Sequence, residues 1–206
     1  MKRRAIPLVL AVAAALGCSR RDAPVGTEPS ASASARPLPS VLPGDSIYVL
    51  GTHLVDQDGT GVSLDVFRGH PVLIAMFYGS CPAACPTLTR DLKSIEGRLT
   101  TEERADVRVL MISFDPERDT PSALKALAVK HGVDTARWKF ATSTESGVRE
   151  ISAVLGVQYR KMDDGEYSHS TKIVLLDRDG AMVTSLEGLR QPADDLLAKL
   201  RGLSSR

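Results

Sequence analysis

Two cysteines four positions apart and one distant histidine are the side chains best equipped for chemistry in this sequence. Cys81 and Cys85 stand in Gly79-Ser80-Cys81-Pro82-Ala83-Ala84-Cys85-Pro86. Thiols at this spacing can close to a disulfide, which needs Cβ atoms about 3.5–4.5 Å apart, or can grip one metal ion. Soft sulfur donors select Cu(I) or Zn(II), and an added imidazole suits copper in either oxidation state. A plain buried disulfide is the alternative use of the same pair. Each cysteine precedes a proline, and a residue before proline is pushed out of the helical region. The segment therefore reads as a loop feeding a helix, with Cys85 near the cap and Pro86 at the first helical position. Thiols placed there face unsatisfied N–H groups and the positive end of the helix dipole, which favours thiolate.

Four histidines are present. His53, His70 and His131 fall in turns or at a helix end and read as surface residues. His169 differs, because it sits in a polar stretch (Asp163 to Thr171, DDGEYSHST) that runs straight into an apolar segment. A third polar segment, Ser113 to Pro121 (SFDPERDTP), follows another apolar run. Asp119 and Thr120 read as caps for the helix that Pro121 starts. Asp115 and Arg118 are placed to shape the site or its partner surface.

The elements that must hold these residues alternate along the chain. Ser46 to Val55 reads as an early strand or hairpin arm, ended by Asp58-Gly59. Pro71 to Tyr78 (PVLIAMFY) is a continuous apolar run, as expected of a strand buried on both faces. Leu88, Leu92, Ile95 and Leu99 recur at helical spacing. Val107 to Phe114 reads as a second buried strand, the segment from Pro121 to about His131 as a helix, and Trp138 to Ala141 as a short strand. Val148, Ile151, Val154 and Leu155 mark another helical face. Thr171 to Asp177 and Ala181 to Leu186 flank Arg178-Asp179-Gly180 as a hairpin, and a final helix follows Pro192. The pattern predicts an α/β, thioredoxin-like three-layer domain with a central mixed sheet and a terminal β-hairpin plus helix. A flavodoxin-like sheet is second, and the terminal hairpin speaks against it. In the thioredoxin-like arrangement the entry to the strand after His169 lies beside the cysteine loop.

The N-terminal segment is an address. Lys2, Arg3 and Arg4 precede an apolar run from Ala5 to Leu16, which ends at Gly17-Cys18. A basic start, a short apolar stretch and a small-residue end make a secretory signal. The run is well short of the ~20 residues that a membrane-spanning helix needs. Ala15-Leu16-Gly17-Cys18 resembles a bacterial lipoprotein signal, with Cys18 as the lipidated residue; an ordinary cleaved signal is the alternative. Three parts are expected: residues 1–18 as signal with the lipoprotein cysteine, 19–43 as a Pro/Ser/Ala-rich disordered tether, and 44–206 as the folded domain. Export to the periplasmic side of the envelope, anchored by lipid, follows from that reading. It leaves Cys81 and Cys85 as an even pair in an oxidising compartment.

Composition excludes other classes. Of 206 residues, 26 are Lys or Arg and 25 Asp or Glu, so the net charge of +1 lacks the basic footprint of a nucleic-acid binder. Aromatics at 4% are too sparse for base-stacking platforms, and three cysteines are too few for a disulfide scaffold.

With these residues in view, a resemblance emerges. Phe77 to Pro86 with Leu88 resembles the signature of the Sco/SenC family of copper proteins. Ser113 to Pro121 matches that family's second motif almost letter for letter. Tyr167-Ser168-His169-Ser170-Thr171 falls where the family has its histidine, just before a strand ending in Asp-x-x-Gly. The likeness runs from about Gly44 to Leu203. Gly79-Ser80 replaces a commoner Thr-bearing pair, and Ser168 stands where an Asp often precedes the histidine. The second change bears on histidine orientation or basicity. The resemblance implies a thioredoxin-like fold holding one copper ion, Cu(I) or Cu(II), through Cys81, Cys85 and His169, with Asp115 supporting the ligands from behind. Cys81 and Cys85 are then also a redox pair that can close to a disulfide.

The implied role is assembly of the dinuclear copper centre of cytochrome c oxidase, by delivering copper or by reducing the cysteines of the apo subunit. Its partners are then the copper-centre-bearing oxidase subunit and other periplasmic copper chaperones or thiol reductants, with membrane contact through the N-terminal lipid only. Two other classes remain: a metal-independent thiol–disulfide oxidoreductase, and a copper or redox sensor. A peroxiredoxin-like peroxidase ranks last, since no isolated cysteine has a distant resolving partner.

Overall fold

A computed structural model describes residues 41–82 and 84–204. The signal segment, Cys18 and nearly all of the tether lie outside the described residues. The domain opens differently from the expected strand, because Ile47–Leu50 forms a 3-10 turn. Ser46 caps it: its Oγ accepts the N–H of Tyr48 at 3.2 Å and donates to the Asp179 carbonyl. Ile47 and Tyr48 are thereby buried against the terminal hairpin, a long-range contact that no local pattern carries. Strand β1 (His53–Asp56) then pairs antiparallel with β2 (Gly61–Ser63) across the Asp58-Gly59 turn.

Asp56 holds that turn together. Burial opposes its ionisation. The ammonium of Lys139 and the N–H groups of Thr60 and Asp58 outweigh that cost and hold the carboxyl below the usual range. A depressed folded-state pKa gives stability that is present above the unfolded value, about 3.9, and lost as pH falls through the folded one. Asp56→Asn is therefore expected to cost about 1–3 kcal/mol in urea unfolding at neutral pH. The gap to wild type should stay level down to about pH 4 and shrink below it.

The apolar run becomes β3 (Val72–Phe77), all six residues buried. Helix α1 (Ala84–Gly97) follows the cysteine loop and turns Leu88, Leu92 and Ile95 inward. A short α2 (Thr101–Asp106) buries no side chain and is held by a capping box between Thr100 and Glu103. Then come β4 (Arg108–Ser113), α3 (Pro121–His131), β5 (Trp138–Ser143) and α4 (Glu145–Leu155). Thr120 and Thr144 cap the two helices at the front, and Gly132 and Gly156 end them in the left-handed region.

Next, β6 (Tyr159–Lys161) and β7 (Tyr167–His169) form a separate two-stranded sheet, where a polar loop was expected. Strands β8 (Lys172–Leu176) and β9 (Met182–Glu187) make the terminal hairpin, and α5 (Asp194–Ser204) ends the described chain. The main sheet runs β2-β1-β5-β4-β3-β8-β9. Strands β3, β4 and β5 are parallel, while β8 is antiparallel to β3. A strand buried along its whole length needs cover on both faces, so the sheet lies between helical layers. The fold class is the expected one: α/β, thioredoxin-like, with a mixed sheet and terminal hairpin plus helix. The antiparallel β8–β9 pair separates it from an all-parallel flavodoxin-like sheet.

Candidate metal centre

Beyond Phe77 the backbone leaves the β3–β4 ladder, and its N–H groups find new acceptors. Tyr78 N–H points to Cys85 Sγ at 3.5 Å, and Cys81 N–H donates to the Tyr78 carbonyl at 3.3 Å. Cys85 N–H points to Cys81 Sγ at 3.4 Å. Cys81 precedes α1, and Cys85 is its second residue, so the two are not on successive turns of one helix. Backbone N–H groups do face both sulfurs, as the motif predicts. Burial nevertheless dominates at Cys85 and pushes its thiol pKa well up, with the Tyr78 N–H pulling the other way. The expected thiolate bias is overturned for this residue in the dithiol form: it lies 6% exposed, too dry for the helix terminus to compensate.

The third donor arrives from β7. The ligand atoms of Cys81, Cys85 and His169 all lie within 4.8 Å of one another. The His169 ring meets Tyr78 edge-on at 5.7 Å and Phe114 at 5.0 Å between centroids. Its Nδ1 lies 3.0 Å from the Ser170 carbonyl. In the neutral ring that contact makes Nδ1 the donor and leaves the Nε2 lone pair available. Ser168 is exposed at the middle of β7, and alternation along the strand puts its side chain on the opposite face from the ring. Ring orientation is thus taken over by a backbone carbonyl, and the missing Asp at 168 leaves it untouched.

Asp115 is fully buried and touches none of the three donors. Its carboxylate accepts from Arg118 Nε and, at 3.3 Å, from the Tyr167 hydroxyl. Arg118 in turn donates to the Gly165 carbonyl at 2.7 Å, sits 3.7 Å from Glu166, and lies over the Tyr167 ring. From the other side, the Tyr78 hydroxyl donates to Glu166 at 2.9 Å. Burial, then Glu166 and Cys81, push the pKa of that phenol up, so it stays a donor at any ordinary pH. Asp115 therefore braces the β6–β7 hairpin that carries the imidazole. Asp115→Ala should cost about 1–3 kcal/mol and raise amide hydrogen exchange through residues 159–169. Unchanged exchange there would remove the bracing role.

Thr120 caps α3 as expected, its side chain accepting the Ala123 N–H. Asp119 does not cap. Its carboxylate accepts the Gly79 N–H at 2.8 Å and the Ser113 hydroxyl, which ties it to the cysteine loop. Desolvation raises its pKa, opposed by those two bonds. Sequence reasoning also missed Tyr78, Phe114, Tyr167 and Glu166, which surround the ring; Tyr78 and Phe114 abut the two motifs and Glu166 and Tyr167 lie just before His169, the only signal they carry. Of the remaining histidines, His70 is held between Asp106 and Arg108. His131 lines a small cavity, about 20 Å³, behind Cys81 and Cys85 but is outside the donor group. A larger cleft, about 240 Å³, lies between α1 and the loop before α5 and includes none of the donors.

Two sulfurs and an imidazole with no carboxylate among them form a soft donor set, unsuited to Mg²⁺ or Ca²⁺ and well suited to copper. Structural zinc closes its shell with four protein ligands; three are gathered among the described residues.

The comparisons agree with this geometry. Residues 51–205 match the family model for SCO1/SenC. A SCO1 protein homolog of Bacillus subtilis is 28% identical over 154 residues, 73% of this chain and 79% of that protein. The structure of Bradyrhizobium japonicum ScoI with copper bound superposes with a TM-score of 0.61 at 28% identity, covering 74% of this chain and 96% of that one. BsSco, described as a member of the Sco family of cytochrome c oxidase assembly proteins, gives 0.65 at 26% identity over 74% and 91%.

Proposed function

The chain belongs to the SCO1/SenC family, and on that premise we propose that it binds one copper ion through Cys81, Cys85 and His169 and acts in the assembly of the copper centre of cytochrome c oxidase. One observation carries the reading: two thiols and an imidazole, 84 positions apart in the chain at their nearest, converge within 4.8 Å. A dithiol working in electron exchange alone has no need of that imidazole. Copper is treated as cargo. The sulfurs supply soft anionic donors once their protons leave, Nε2 supplies a neutral one, and the aromatic ring cluster keeps water from the imidazole face.

The same sulfurs support a second use. Oxidation of Cys81 and Cys85 to a disulfide releases two electrons and two protons, which convert a partner's disulfide to two thiols. Bound metal and disulfide are thus mutually exclusive states of one pair. Delivery is the reading the imidazole favours. It is tested by loading the reduced domain with Cu(I) and mixing it with the oxidase copper-centre domain, oxidised or reduced, following metal and thiols separately. Metal moving to the reduced partner supports delivery; thiols moving to the oxidised partner, without metal, replaces it with reduction.

Export and lipid anchoring at Cys18 belong to the same proposal, supported by the basic-apolar-small order of residues 2–18. Cys18→Ala should abolish incorporation of labelled fatty acid and release the protein from the membrane fraction.

A further inference from the structure

We infer that Gly79 and Asp119 form a positioning pair that holds the cysteine loop in place for the donors, Asp119 supplying the acceptor and Gly79 the space it occupies. The inference deepens the copper reading above and rests on it for its functional consequence.

The backbone between Phe77 and Cys81 has to be satisfied without a strand partner. In-register pairing of β3 with β4 ends at Phe77 and Ser113, and the Phe114 N–H still reaches the Phe77 carbonyl at 2.9 Å. The next two N–H groups on the β3 side go to side chains: Tyr78 to Cys85 Sγ and Gly79 to Asp119 Oδ2. Asp119 is itself fastened to the end of β4. Its N–H donates to the Asp115 carbonyl at 3.0 Å, and its carboxylate takes the Ser113 hydroxyl, whose oxygen accepts the Asp115 N–H at 2.9 Å. The carboxylate is 40 positions from Gly79 and 3% exposed, so it is a fixed bracket between neighbouring strand ends. The fixed point lies two residues before Cys81.

Glycine at 79 is explained by room. It is absent from the glycines in the left-handed region, so its backbone suits other residues. A Cβ there would fall far inside contact of Asp119 Oδ1 and only 3.0 Å from Leu127 Cδ1. The carboxylate fills the volume that a side chain at 79 would claim. This gives the Gly79 departure from the commoner Thr-bearing pair a physical reason. Asp119 has no hydrogen bond to either sulfur or the ring, so its part is positioning.

The test uses four variants: Asp119→Ala, Gly79→Ala, the double variant, and Asp119→Asn, whose amide oxygen can still accept the Gly79 N–H. Three readouts are taken: thermal unfolding, amide hydrogen exchange of residues 79–81 in the copper-free dithiol protein, and Cu(I) affinity by competition with a chromophoric chelator. Asp119→Ala and Gly79→Ala should each speed exchange at Gly79 by roughly tenfold or more, the loss of a charge-assisted bond. Each should weaken Cu(I) binding by about 10- to 100-fold, as loss of a ligand's outer support does. Asp119→Asn should recover most of both effects. The double variant should be no worse than either single one, because both remove the same contact.

Gly79→Ala keeps every polar group, so it decides the matter if Asp119→Ala fails to fold. Exchange and affinity unchanged in Gly79→Ala, or fully additive effects in the double variant, overturn the pair. Exchange moving as expected while even the wild type fails to bind Cu(I) sustains the bracket and removes the copper reading instead.

Discussion

Replacing His169 by Ala is expected to strip most of the copper-dependent stability from the domain while leaving its thiol chemistry in working order. A ligand present at 100 times its Kd adds about 2.7 kcal/mol to folding by mass action. Losing an outer partner of a metal ligand already costs roughly 10- to 100-fold in affinity, and a donor itself should cost at least the upper end. At 100-fold weaker binding the same copper concentration equals the new Kd, and the gain falls to about 0.4 kcal/mol. For a domain of this size the difference corresponds to about 5–9 °C in Tm. The copper-free protein should unfold near the wild-type temperature, since the ring contributes edge contacts with Tyr78 and Phe114 but sits on the outer hairpin. Thiol–disulfide exchange with a small dithiol should proceed at close to the wild-type rate. If copper still raises the Tm of His169→Ala by the full amount, the imidazole is no donor and the copper assignment fails with it.

Cys85→Ser should remove both activities at once. Serine is close to cysteine in shape and can accept the Tyr78 N–H that Cys85 Sγ now faces. Its hard neutral oxygen is a poor donor for Cu(I), and it cannot close a disulfide. Cu(I) competition should show no binding in the range where the wild type saturates, and no oxidised monomeric form should appear on non-reducing gels. Cys85 is nearly dry, so the hydroxyl also costs about 1–3 kcal/mol in the copper-free protein. That stability loss is to be measured first by urea unfolding, at a temperature where the variant is fully folded. Retained disulfide exchange in this variant would mean that Cys81 works with a partner other than Cys85.

What could be seen in the sequence was what depends on neighbouring residues. PVLIAMFY announces a strand covered on both faces, Thr120-Pro121 announces a helix start, and Arg178-Asp179-Gly180 announces a hairpin; each rests on side chains within a few positions. Ile47–Leu50 was misread because IYVL has the composition of a strand, while its conformation depends on Ser46 reaching Asp179, 133 positions away. The β6–β7 hairpin was missed because YRKMDDGEYSH is polar and its strands are only three residues long. Its order comes from Arg118, Tyr78 and Asp115 on other elements. Asp119 looked like a cap since an acid before Thr-Pro has that local use, and its true acceptor role depends on a glycine in a different loop. At the site, the three donors were legible from type and motif. The ring cluster that seats the imidazole was not, since its members are ordinary core and loop residues until the fold gathers them.

The hairpin bearing His169 shares no ladder with the main sheet, whereas Cys81 and Cys85 sit at the mouth of its innermost strand. Two anchor points are bolted to the frame and the third rides on an outrigger. For a carrier, such a division separates how firmly cargo is kept from how readily it is surrendered: the outrigger can lift while both sulfurs still hold. An incoming group from the recipient can then take the vacated position before anything is let go, so the ion never passes through bulk water on its way across.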